Sequence, residues 1–112
     1  MNQNNSRSKR QALRFLANDH PLSFKTEFEE GQGFFDNISG GGCAARSVTV
    51  PLQLREKVLI HFPLEKEGDR VEIGARVVRI DGDNVAFQFN YLSEKDKQRI
   101  VKYFAEKQRK AS

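Results

Sequence analysis

A chain of 112 residues holds one domain of ordinary size and leaves no room for two independent cores. Hydrophobic residues make up 38%, with nine Phe and no Trp; 30% are charged and the mean hydropathy is −0.67. That composition excludes a membrane-spanning helix, which needs roughly 18–20 unbroken apolar residues, and the single Cys43 excludes an internal disulfide.

The start, Met1 to Lys9, is polar and basic with no apolar run behind it. It does not read as a secretory signal, so the cytoplasm is the expected compartment. The net charge of +4 is unevenly spread: residues 1–16 carry +4, 17–30 carry −3, 31–92 carry −1 and 93–112 carry +4. Basic ends attract anions of many kinds and by themselves select none.

Residues 1–8, rich in Asn, Ser and Gln, are expected to form a flexible arm ahead of a domain spanning 9–112. The whole stretch 1–16 lacks the apolar alternation that would pin it to a sheet. From Leu22 to Phe28 the pattern alternates, with Leu22, Phe24, Thr26 and Phe28 on one side, the period-two mark of a half-buried strand. Glu29 to Gly33 reads as a turn, Phe34 to Ile38 as a second strand, and Cys43 to Val50 as a third. Val58, Ile60 and Phe62 mark a fourth, and Val71, Ile73, Ala75 and Val77 a fifth over Arg70 to Ile80. Asp81-Gly82-Asp83-Asn84 then turns the chain into a sixth strand carrying Val85, Phe87 and Phe89.

The period changes after Ser93, an N-cap with Asp96 three residues on. Ile100, Val101, Phe104 and Ala105 form a helical stripe. The fold expected is all-β with a C-terminal helix: strands over about 17–91 and a helix over about 93–109. Six short strands suit a small antiparallel barrel with the helix covering an opening.

No Walker loop, nucleophile elbow, HExxH or cysteine pair is present, so neither enzyme nor metal site is expected. His20, His61 and Cys43 are isolated and read as structural. Two constellations remain. Arg10 and Arg14 are spaced Arg-x-x-x-Arg, and two guanidiniums four residues apart can grip one compact anion, by phosphate oxygens or the O6/N7 edge of guanine. A basic tail explains the same spacing. Asn37-Ile38-Ser39-Gly40-Gly41-Gly42 offers an amide, a hydroxyl and glycines that let backbone approach closely or take positive φ. A plain glycine-rich turn explains that run equally well.

In this order, the two runs resemble the signatures of the PilZ domain family, Arg-x-x-x-Arg followed by Asp/Asn-x-Ser-x-x-Gly. Gly74 to Ile80, Val85 to Phe89 and the basic final helix fit as well, so the resemblance covers about residues 8–108. It implies a six-stranded antiparallel PilZ-type β-barrel that binds cyclic di-GMP on its outer surface and catalyses nothing. By that resemblance Arg10, Arg14, Asn37, Ser39 and Gly42 are the ligand residues, with Arg7, Lys9, Asp36 and Arg79 as further candidates. Lys9 and Arg7 bear on whether one or two ligands bind, and alternation along the later strand leaves open whether Arg76 or Arg79 faces the ligand. The N-terminal segment, above all Arg10 to Phe15, is expected to become ordered over the ligand. The implied output is a contact with a protein of the motility, exopolysaccharide or pilus machinery. Two rival readings are an adaptor that has lost the ligand and a basic barrel that binds single-stranded nucleic acid. Retention of both motifs argues against the first, and inward placement of most Phe against the second.

Overall fold

Apolar residues at every second position leave a strand one face to bury, and this chain does so repeatedly. The computed structural model describes residues 15–16, 20–64 and 70–111. Its strands are β1 (Phe15–Leu16), β2 (Pro21–Lys25), β3 (Glu30–Ile38), β4 (Gly42–Arg46), β5 (Lys57–Pro63), β6 (Arg70–Asp81) and β7 (Asn84–Phe89), followed by helix α1 (Glu94–Ala111). All pairings are antiparallel, in the order β1-β3-β2-β5-β6-β7-β4, and a further β3–β4 pairing closes a six-stranded barrel from β2 to β7. The two-residue β1 lies outside that count, on the edge of β3 that β2 leaves uncovered.

Phe24, Phe35, Ile38, Ile60, Phe62, Ile73, Val77 and Phe87 fill the barrel. The β4–β5 loop closes one opening, with Val48, Val50 and Leu52 packed on the core and Thr49 N–H donating to Gln32 O at 3.0 Å. Helix α1 covers the other. Ser93 caps it, its Oγ accepting from Asp96 N–H at 3.1 Å, and Ile100 and Phe104 are fully buried. Phe104 meets Phe35 and Phe62 at centroid distances of 6.1 and 6.3 Å. Among the described residues, no helix is long and apolar enough to cross a membrane.

Several expectations need correction. Phe28 is not inward: β2 stops at Lys25, and the Thr26 Oγ1 accepts from Phe28 and Glu29 N–H at 3.1 Å each, forming a turn with Phe28 82% exposed. Glu29 to Gly33 is not a turn, because β3 starts at Glu30. Its alternation is hidden because the inward positions are Gly31 and Gly33, and a Cβ on Gly31 would come within 2.5 Å of the Phe24 ring. The third strand ends at Arg46, where Ser47 takes a φ of 56°. The stretch before residue 17 is not wholly unpinned: Phe15 is buried and pairs with Ile38.

Candidate ligand-binding face

Two bulges shape the outer face of the barrel. On β3, Phe35 pairs with Ala45 and Asn37 with Ala44, so Asp36 is an extra residue and Asp36 and Asn37 both leave the core side. On β6, Val77 pairs with Phe87 and Arg79 with Ala86, so Val78 is the extra one. Simple alternation would put Arg76 and Arg79 on opposite faces. The bulge at Val78 leaves both exposed.

The registers then line up one row across four strands: Asn37 on β3, Ala44 on β4, Ala86 on β7 and Arg79 on β6. Three strand spacings of about 4.8 Å set its ends roughly 14 Å apart. Between the amide and the guanidinium lie only two methyl groups, a flat and weakly polar floor. A neighbouring row carries Gly42, Gln88, Arg76 and Lys57. Beyond Asn37 the row continues to Leu16 of β1.

The β3–β4 loop is held by its own hydrogen bonds. Ser39 is 4% exposed; its N–H donates to Gly42 O at 2.9 Å, its hydroxyl donates to the same carbonyl at 3.3 Å, and its Oγ accepts from Gly41 N–H at 3.2 Å. Gly42 is needed for close approach, though to protein and not through positive φ. A Cβ there would sit 2.4 Å from Phe87 O, and among the described residues the glycine with positive φ is Gly82. The loop also leans on α1, since a Cβ on Gly40 would meet Lys97 Cγ at 3.1 Å.

Charge on this face is positive. Asp36 is engaged by Arg46 at 3.5 Å, and the Arg46 guanidinium lies 5.4 Å over the Phe34 ring. Among the described residues no carboxylate pairs with Arg76 or Arg79. No group of three His, Cys, Asp or Glu among them could hold a metal ion. Of the residues singled out from sequence, Asp36, Asn37 and Arg79 point out from the barrel, Gly42 lies in the neighbouring row, and Ser39 is buried in the β3–β4 loop. Arg7, Lys9, Arg10 and Arg14 lie outside the described residues. Ala44, Ala86 and Gln88 lie in these two rows without having been singled out from sequence; for the alanines, an outward strand position where the type is disfavoured was the available signal.

A family model described as PilZ domain matches residues 8–106. A search of curated proteins found no significant match. Among solved structures, the fold is similar to the PilZ domain of Escherichia coli YcgR with c-di-GMP, at 18% identity and a TM-score of 0.73, covering 92% of this chain and 96% of that one. It is similar to the PilZ domain of CeSA from a cellulose-synthesizing bacterium, at 20% identity and 0.66, covering 86% and 99%. The Bacillus subtilis inhibitor of motility MotI/DgrA matches at 22% and 0.72, with 89% of this chain covering 51% of that protein. With the family model spanning nearly the whole chain and the barrel closed as described, this chain belongs to the PilZ domain family.

Proposed function

We propose that the chain is a receptor for cyclic di-GMP, bound on the outer face of β3, β4, β7 and β6, and that it signals to a partner protein without catalysing a reaction. The observation that carries this reading is the pairing of β1. Phe15 lies opposite Ile38 and Leu16 opposite Asn37. Arg14 directly precedes Phe15 in the sequence, and Arg10 lies four residues before Arg14. On this reading β1 is the link that lets the two motifs, more than twenty residues apart in sequence, serve one ligand.

The chemistry of the face suits the ligand. Arg10 and Arg14 reach phosphate oxygens and guanine O6/N7 edges, with Arg7 and Lys9 adding positive charge. The Asn37 amide offers a donor and an acceptor to a base edge. The base lies over Ala44 and Ala86, and Arg79 meets its far side or a phosphate. Ser39 and Gly42 hold the loop that presents Asn37. The YcgR relative was solved with c-di-GMP, and so was MrkH of Klebsiella pneumonia, similar at 21% identity and a TM-score of 0.66 over 90% of this chain and 53% of that one. Ligand-driven ordering is confined to residues before Phe15, because β1 already pairs with β3. That segment then becomes a lid whose new surface a protein of the motility, exopolysaccharide or pilus machinery reads in the cytoplasm.

Calorimetric titration tests the reading. Cyclic di-GMP is expected to bind in preference to GTP, GMP and cyclic di-AMP. Arg10→Ala, Arg14→Ala and Asn37→Ala should each weaken binding by on the order of 1–3 kcal/mol. Absence of heat at tens of micromolar ligand, where useful affinities of about −6 to −7 kcal/mol would register, removes the proposal.

A further inference from the structure

Helix α1 covers one opening of the barrel, and its two ends also touch the two segments that carry the sequence motifs. Near its start the Lys97 side chain lies along the β3–β4 loop. A Cβ placed on Gly40 would meet Lys97 Cγ at 3.1 Å, Cδ at 3.3 Å and Cε at 3.9 Å, so three carbons of the stem cover that glycine. Near its end the Gln108 side chain reaches β1, where Leu16 N–H donates to Gln108 Oε1 at 3.1 Å.

Lys97 and Gln108 are eleven residues apart. At 3.6 residues per turn that is about three turns and ~16 Å of helix, which returns to the same face. Ile100 and Phe104, both fully buried, lie along that face between them. The helix is fixed at each end as well. Ser93 Oγ accepts from Asp96 N–H at 3.1 Å, Arg99 pairs with Asp96 at 2.9 Å, and Lys107 Nζ donates to His20 Nδ1 at 3.0 Å. One rod therefore bears on the loop after Asn37 and on the strand that directly follows Arg14.

The loop is tied to β7 by Phe89 N–H donating to Gly41 O at 2.9 Å. On its helix side stands the Lys97 stem, which supplies all three nearest atoms to a Cβ on Gly40. Lys97 acts there through its carbons. Its Nζ lies 3.8 Å from Glu94 Oε1, an exposed pair of the kind worth little, and a lysine stem covers surface while its head stays in water.

We infer that α1 is a splint for the ligand site, with Lys97 and Gln108 as positioning residues that hold the β3–β4 loop and β1 at one spacing. The inference rests on the cyclic di-GMP reading above. Each residue acts through the segment it holds. A ligand gripped from both segments binds better when their separation is set beforehand, because less ordering accompanies binding.

Calorimetry with cyclic di-GMP and amide hydrogen exchange of the free protein test it together. Lys97→Ala should raise the dissociation constant about threefold or more, and Gln108→Leu about threefold to tenfold, the range of one hydrogen bond. Lys97→Met places atoms at the three stem positions without the charge and should bind as the wild type does. Melting temperatures should hardly move, since neither side chain belongs to the core. Without ligand, Lys97→Ala should speed exchange at Ser39 and Gly41 N–H, and Gln108→Leu at Leu16 N–H, with β5 and β6 unchanged. Wild-type affinity in both Lys97→Ala and Gln108→Leu overturns the inference and leaves the receptor reading standing. So does an equal loss in Lys97→Met and Lys97→Ala, which makes the ammonium group a ligand contact. If the wild-type chain binds no cyclic di-GMP, the receptor reading falls and exchange decides the splint: faster exchange at those three amides sustains it, and unchanged exchange overturns it.

Discussion

The two faces of β3 obey different rules. Inward, Phe35 and Ile38 are fully buried, and Phe35 stacks edge-on against Phe62 at 4.9 Å. Even the polar neighbour on that side is satisfied: buried His20 donates from Nε2 to Pro63 O at 2.8 Å and accepts at Nδ1 from Lys107 Nζ at 3.0 Å. Burial chiefly, opposed by the Pro63 carbonyl and aided by Lys107, holds its pKa below the usual imidazole value, which favours the neutral ring. Outward, Asp36 bulges, Asn37 looks over two alanines, and on the far strand Arg76 and Arg79 have no carboxylate partner among the described residues. The inner face is built for packing and the outer one departs from local rules. Such departures collect where a protein binds something.

The sharpest way to test that contrast is to damage the inner face alone. Phe104→Ala removes a fully buried ring that touches Phe35, Phe62 and Tyr103. Urea unfolding should show a loss of about 3–5 kcal/mol. The fraction that remains folded should bind ligand as the wild type does, since Phe104 contributes nothing to the outer row. A loss below about 1 kcal/mol would mean that α1 is an appendage and not part of the core.

Gly42 sits where the two faces meet, so its replacement should damage both. In Gly42→Ala the new Cβ starts 2.4 Å from Phe87 O, and β4 has to move off β7. Overpacking of this kind costs about 1–3 kcal/mol. Because Asn37 and Ala44 are paired across the same hairpin, affinity should fall together with the melting temperature. Normal stability with normal binding would show that the strands separate more easily than their register suggests.

How much of this was legible in the sequence depended on whether a buried position carried a side chain to read. Val58, Ile60 and Phe62, or Val85, Phe87 and Phe89, announce their strands because every inward residue is large and apolar. The first half of β3 is silent, since its inward residues are glycines whose space is filled from elsewhere, by Phe24 and Val50 at Gly31 and by Val48 at Gly33. Phe28 misleads: it continues the alternation of Leu22 and Phe24, and only the hydroxyl of Thr26 turns the chain first. Asn37, Ser39 and Gly42 could be found as a motif, but the need for glycine at 42 arises from β7, distant in sequence. The bulges at Asp36 and Val78 were invisible. Each is one residue inserted into a pairing that no local pattern specifies, and together they align Asn37 with Arg79.

The smallest expected effect on stability belongs to the floor of the row, and there the two faces should separate most cleanly. Ala86 lies on β7 between Ala44 and Arg79, pointing away from a core that Val85 and Phe87 already fill. Ala86→Leu adds branched apolar bulk to an outward strand position, so its stability change should stay within the roughly 1 kcal/mol span of strand preferences. A planar base lying across Ala44 and Ala86 has no such tolerance, because the added carbons occupy the height at which the ring would rest. Binding of cyclic di-GMP should therefore fall by about tenfold or more, equivalent to about 1.4 kcal/mol, while the melting curve hardly moves. Ala86→Gly is the control, since it removes bulk and should keep the affinity. If Leu at 86 leaves the affinity intact, the ligand does not rest on the alanines, and the alignment of Asn37 with Arg79 has another cause.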